Sequence, residues 1–211
     1  MTREPVILGA ASPRAIEWAA EAIVNGGVIG IPTDTVYGLA ASHTNPDALE
    51  RIFAVKGRPV DRTLPILVSS VDAAARLTER IDPAVAVLLD EFWPGPLTIA
   101  LPGRRGLLAP LVAPDGTIGV RMPNHPLALE IIEKAGGAIA CTSANRSGEP
   151  PATSAAALAA AIGSEIDLTI DGGLAPGGVP STVITIAGDR LTVVREGAIP
   201  ARDLERVWAD R

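Results

Sequence analysis

The sequence predicts an α/β fold built on an open, twisted sheet of mixed strand direction, covered by helices. Three observations lead there. Short apolar runs bounded by Gly and Pro alternate with longer amphipathic stretches, the pattern of strands interleaved with helices. Their order is not a strict βα repeat, which argues against an all-parallel sheet. A two-residue turn signal, Gly188-Asp189, joins the last two apolar runs as a hairpin. The 211 residues suit a single domain, 1–211, with a sizeable core, and no internal repeat divides them.

Each element has a local reason. Ser12-Pro13 reads as N-cap and first position of a helix with Ile16, Ala19, Ala20 and Ile23 on one face and Gly26 just past its end. Val28 to Ile31 is a strand leading into the loop Pro32-Thr33-Asp34-Thr35. Asn45-Pro46 opens a second helix with Leu49, Ile52 and Phe53 inward, Lys56 in its last turn and Gly57 closing it. Leu64 to Val68 reads as a buried strand, Ser70 caps a helix to Ile81, and Asp82-Pro83 starts another that stops before Trp93-Pro94-Gly95-Pro96. Strands follow at Leu97 to Leu101 and Thr117 to Arg121, a helix at 126–135, a strand at 138–141 and an alanine-rich helix at 153–162. Strands near 166–170, 182–187 and 191–195 and a short final helix complete the chain.

Composition narrows the function. Hydrophobic residues at 47% and charged residues at 20% are typical of a globular protein. A net charge of −6 and 3% aromatics supply neither a basic field nor stacking platforms, so a pure RNA-binding module is disfavoured and weak RNA binding is the most to expect. Any anion site must therefore be a local pocket. Of 18 basic residues only Lys56 and Lys134 are lysines, which makes a lysine among polar clusters informative. A single cysteine, Cys141, excludes internal disulfides and C-x-x-C zinc sites, and no metal ligand set is expected. No signal-peptide pattern or long apolar run appears, so a cytoplasmic protein without membrane association is expected.

The usual nucleotide and hydrolase signals are missing: no P-loop, no strand-anchored G-x-G-x-x-G, no G-x-S-x-G elbow, no H-E-x-x-H. His43 and His125 read as loop or surface histidines, and Cys141 as a small buried hydrophobe. What remains is a set of polar clusters, each just after a strand or helix, where loops converge. They are Thr33-Asp34-Thr35, Lys56-Gly57-Arg58-Pro59, Arg121, Ser143 to Gly148, Ser181-Thr182 and Arg195-Glu196-Gly197. Guanidinium forks, one ammonium and backbone donors suit phosphates and a carboxylate. Taken singly, each has a plainer explanation: Lys56 complements a helix dipole, Ser143 or Asn145 caps a turn, Arg121 forms an ion pair.

Taken in order, Pro32 to Leu39, Lys56-Gly-Arg-Pro59, Val120-Arg-Met-Pro123, Ser143-Ala-Asn-Arg-Ser-Gly148, Ser181-Thr-Val183 and Arg195-Glu-Gly197 resemble the YrdC/TsaC family of threonylcarbamoyl-AMP synthases over about residues 14–199. The resemblance implies a YrdC-like α/β fold with a deep central cavity. It also implies a reaction of ATP, L-threonine and bicarbonate or CO2 that yields threonylcarbamoyl-AMP and pyrophosphate. Downstream tRNA threonylcarbamoyl transferase proteins would then modify an adenosine beside the anticodon of ANN-decoding tRNAs. By the same resemblance Thr35, Arg121 and Ser181 hold threonine. Lys56, Arg58, Ser143, Asn145 and Arg195 hold ATP with its Mg2+, Lys56 and Arg58 being the catalytic pair. The alternatives are a paralogous carbamoyl- or acyl-adenylating or transferring enzyme and a non-catalytic RNA-binding module. Two positions depart from the family pattern: Leu67 stands where longer members place a threonine-contacting His, and Arg62 where many have Asn. The chain also ends soon after Gly197, as expected of a short form without an extra C-terminal domain.

Overall fold

A computed structural model describes residues 4–12, 14–57 and 63–211. In chain order the strands are β1 (Ile7–Gly9), β2 (Ile29–Ile31), β3 (Gly38–Ala41), β4 (Ile66–Val68), β5 (Leu97–Pro102), β6 (Thr117–Arg121), β7 (Ala138–Ser143), β8 (Leu168–Asp171), β9 (Thr182–Ala187) and β10 (Arg190–Arg195). The helices are α1 (Ala15–Val24), α2 (Pro46–Lys56), α3 (Val71–Leu77), α4 (Pro83–Phe92), α5 (Pro126–Lys134), α6 (Ala155–Ile162) and α7 (Ala201–Ala209). The strands form one sheet in the order β1-β8-β2-β3-β7-β4-β6-β5-β9-β10. Direction is mixed: β4 runs parallel to β6 and β5 to β9, whereas β3–β7, β5–β6 and β9–β10 are antiparallel.

The helix ends follow their caps. The Asn45 side chain accepts from the Ala48 N–H at 3.1 Å, Pro46 takes the first turn, and Gly57 leaves α2 in the left-handed region at φ +56°. Ser70, Asp82 and Ser154 cap α3, α4 and α6 in the same way. α1 differs from expectation. It begins at Ala15 behind Arg14 with no side-chain cap, so Ser12 is not its N-cap, and Pro13 lies outside the described residues. α3 stops at Leu77, short of Ile81, because Thr78 turns extended and bridges Gly103 across to the β5 end.

Two strands were not expected. β1 is three residues at the sheet edge, pairing with β8. β3, Gly-Leu-Ala-Ala, has weak strand propensity, yet it is fully buried because β2 and β7 bond to it on both sides.

Strand alternation divides the core into two unequal faces. On one face Leu39, Ile66, Val68, Leu97, Ile99, Val120 and Ala140 pack under helices that include α2, α4, α6 and α7. On the other, Ile29, Ile31, Ala40, Leu67, Ile139 and Cys141 pack under α1 and α5. Beyond β4 this second face carries Arg121 of β6 and Thr98 of β5, and there it opens into a cavity.

Replacing Asn45 with Ala is expected to destabilise the fold by about 1 kcal/mol, read by urea or thermal unfolding, because α2 loses its N-terminal acceptor.

Candidate functional site

The cavity is assembled from segments far apart in the chain: Thr33 to Gly38, Pro65 and Leu67, Thr98, Arg121, Cys141 to Ser143, Pro180 and Ser181, and Arg195. Arg121 organises one side of it. Its side chain leaves β6 where Met122-Pro123 ends the strand, in register with Leu67 of β4. At 6% exposure the guanidinium donates from Nε to Gly95 O at 3.0 Å, from Nη1 to Thr35 Oγ1 at 3.0 Å, and from Nη2 to Asp34 Oδ1 in an ion pair. Burial pushes its pKa down, the Asp34 carboxylate pushes it back up, and the nearby Arg195 charge opposes it. An arginine remains protonated under such pressures and has five N–H groups. Three are engaged, so two remain for an anion in the cavity.

An ion pair and a place for a carboxylate are thus combined at Arg121 rather than being alternatives. The ion pair with Asp34 exists, but it is buried and holds the guanidinium in place. Thr33 stiffens the same loop: its hydroxyl donates to Val36 O at 2.6 Å and accepts from the Thr35 N–H at 3.2 Å. The segment 172–180 lies against this loop. Gly178 N–H donates to Thr35 O at 2.8 Å, and the buried Tyr37 hydroxyl accepts from Gly172 N–H at 3.2 Å and donates to Gly173 O at 2.7 Å. Gly177 lets the two segments approach closely, since a Cβ there would meet Asp34 O at 3.0 Å and Thr35 Cα at 3.3 Å and push the loop outward.

The opposite side is made by Ser181 and Arg195. The Ser181 and Thr98 hydroxyls lie 2.9 Å apart, and Arg195 Nη2 donates to Ser181 O at 2.8 Å. Partial desolvation lowers the Arg195 pKa, so the cavity holds two guanidiniums of which Arg121 has a described carboxylate partner. Such a field favours an anionic ligand.

Lys56 and Asn145 stand behind another part of the lining, Ser143 at the end of β7. Lys56 Nζ, in the last turn of α2 and 3% exposed, donates to Ser143 O (2.5 Å), Asn145 O (2.9 Å) and Asn145 Oδ1 (3.1 Å). These acceptors lie outside its own helix, so complementing the α2 dipole is not its main role. Ser143 lines the cavity. Arg58 and Arg62 lie outside the described residues.

The structure therefore gathers Thr35, Arg121, Ser181, Ser143 and Arg195 around one space, with Lys56 and Asn145 one layer back. Sequence reasoning placed Asp34 in a polar cluster without giving it a role, and missed Thr98 as a site residue. Thr98 carried a readable signal, a polar residue between Leu97 and Ile99 on a strand, which marks the face opposite the core. Cys141 lines the cavity as a buried thiol whose pKa burial pushes up to about 12. His43, bonded through Nδ1 to Ala138 O at 2.9 Å, and His125 both have pKa values lowered by burial. Among the described residues no group of three His, Cys, Asp or Glu gathers as a metal site, and no helix is long and apolar enough to cross a membrane.

Comparison with known proteins places the chain in a family. A sequence model of the Sua5/YciO/YrdC family, described as telomere recombination, matches residues 21–197. The chain is 40% identical over 200 residues to the threonylcarbamoyl-AMP synthase of Pyrococcus abyssi, covering 92% of this chain and 58% of that protein. It is 32% identical over 170 residues to the threonylcarbamoyl-AMP synthase of Coxiella burnetii, covering 81% of this chain and 91% of that protein. The crystal structure of P. abyssi Sua5 complexed with L-threonine superposes with a TM-score of 0.90 at 37% identity, over 96% of this chain and 60% of that one. The chain thus spans less than two thirds of the length of the Pyrococcus protein.

The Cys141 thiol ordinarily titrates near 9.0 and here near 12. Between those values the unfolded chain releases the proton and the folded chain keeps it, so stability should fall as pH rises through this window. Unfolding curves at stepped alkaline pH are expected to show a shallower decline for Cys141→Ala than for the parent chain.

Proposed function

The chain is a member of the Sua5/YciO/YrdC family, and from that premise we propose that it forms threonylcarbamoyl-AMP and pyrophosphate from ATP, L-threonine and bicarbonate or CO2. The observation that carries the proposal is the buried Arg121 guanidinium, tied to Asp34, Thr35 and Gly95, with two N–H groups left for a ligand. A carboxylate suits that fork. The hydroxyls of Thr35, Thr98 and Ser181 around it suit an amino acid that carries a hydroxyl of its own. The L-threonine named in the complex of the Pyrococcus relative supports the same substrate.

In this reaction the threonine amine adds CO2 to give a carbamate. A carbamate oxygen attacks the α-phosphorus of ATP, and the bond to the departing pyrophosphate breaks. No protein nucleophile is needed, which accords with a Cys141 thiol held protonated. The chain's own task is to position two anions side by side and offset their charge. Arg121, Thr35 and Ser181 take the threonine; Ser143 and Arg195 face the nucleotide, and magnesium enters with the triphosphate as part of the substrate. The product is an activated acyl phosphate, and downstream transferase proteins pass its threonylcarbamoyl group to ANN-decoding tRNA. A reducing cytoplasm suits a chain with one cysteine.

The test is incubation with ATP, magnesium, labelled bicarbonate and each amino acid in turn, reading pyrophosphate and the adenylate product. Threonine should be the best substrate, serine intermediate, and valine and alanine far poorer, because hydroxyl-binding groups are left unpaired without a hydroxyl. Equal turnover of all four would overturn the threonine assignment and favour a paralogous enzyme.

Arg121→Lys should raise the threonine KM at least about tenfold while ATP affinity stays within about twofold, since one ammonium cannot reproduce a fork. Melting temperature should also fall, because Gly95 O, Thr35 and Asp34 lose their donor. A lowered melting temperature with an unchanged threonine KM would remove Arg121 from the site.

A further inference from the structure

Granting the proposed adenylating activity, we infer that Lys56 and Asn145 are positioning residues that act through Ser143 and do not themselves hold the nucleotide. An ammonium has three N–H donors, and those of Lys56 meet Ser143 O, Asn145 O and Asn145 Oδ1. Asn145 is equally committed. Its Oδ1 accepts from Lys56 and from the Ser143 hydroxyl at 2.6 Å, and its Nδ2 donates to Arg146 O at 2.9 Å and Glu149 O at 2.7 Å. To reach a phosphate, Nζ must abandon a buried carbonyl, and an acceptor left unpaired in such a place costs about 1–3 kcal/mol.

Position agrees with saturation. Ser143 lines the cavity, whereas Lys56 and Asn145 are not among its lining residues. The chain between them is tied back as well, since Ser147 N–H donates to Lys56 O at 2.9 Å and Glu149 N–H to Arg146 O at 3.0 Å. Ser143 spends its hydroxyl hydrogen on Asn145, so it offers the cavity a lone pair. That lone pair fits a ligand N–H or O–H rather than a bare phosphate oxygen. Lys56 and Asn145 thus set where Ser143 points and which end of its dipole faces the ligand.

Calorimetry of ATP binding tests this without turnover. Lys56→Met and Asn145→Ala should each weaken ATP binding by about tenfold in the parent chain, and by less than about twofold in a Ser143→Ala background, because coupled residues are not additive. The same factor in both backgrounds would make Lys56 a direct nucleotide ligand and overturn the inference. Should Lys56→Met fail to fold, Asn145→Ala, which keeps the lysine, carries the same comparison. Hydrogen exchange separates this inference from the synthase activity. Asn145→Ala should speed exchange at the Ser147 and Glu149 amides even without nucleotide, and unchanged exchange overturns the positioning role. A parent chain that binds no ATP while the variant's exchange rises would overturn the proposed activity instead.

Discussion

A guanidinium removed from water must be paired and hydrogen-bonded, and partners from two separate segments meet that demand for the Arg121 side chain. Gly95 O comes from the turn before β5, Thr35 Oγ1 and the Asp34 carboxylate from the loop after β2, and Arg121 itself from the end of β6. The loops cannot drift apart without stranding a buried charge. The remaining site contacts inherit this geometry. Thr33 locks the same loop, Gly178 bonds to Thr35 O, and that segment leads to Ser181 and so to Arg195.

Uneven helix cover explains why there is a cavity at all. One face of the sheet is closed by a broad helical layer, while on the other α1 and α5 reach as far as β4. The polar side chains of β5 and β6 on this face are partnered by loops instead of being covered by a helix. Here they become the floor of a binding space, and Arg121 and Thr98 occupy strand positions that alternation directs away from the main core.

Legibility in the sequence followed the range of the forces involved. α2 was readable at both ends because Asn45, Pro46 and Gly57 act on neighbours one turn away. The strands Thr117–Arg121 and Thr182–Ala187 and the Gly188-Asp189 hairpin were readable from their apolar pattern and turn. β3 was not, because Gly-Leu-Ala-Ala owes its extended form to β2 and β7, which lie elsewhere in the chain. The site divides in the same way. The clusters around Thr35, Arg121, Ser143, Ser181 and Arg195 stood out as polar residues after regular elements, but Asp34 as partner of Arg121 and Thr98 as partner of Ser181 depend on pairings across more than eighty residues. The rarity of lysine singled out Lys56; it could not reveal that Asn145 and Ser143 would absorb its ammonium.

The strand order also carries a consequence for how the chain acquires its site during synthesis. Ile7 of β1 aligns with Thr169 of β8, and Thr98 of β5 aligns with Val183 of β9. These pairings close very long loops, which makes them slow to form and late in folding. Arg195, at the end of β10, must join Ser181 before the second wall of the cavity exists. A nascent chain that has emerged through β7 can already bring Arg121 to Asp34, yet it has neither Ser181 nor Arg195. Until the last strands dock, the growing polypeptide presents a charged half-site, and ligand protection against proteolysis can begin only once β9 and β10 have been made.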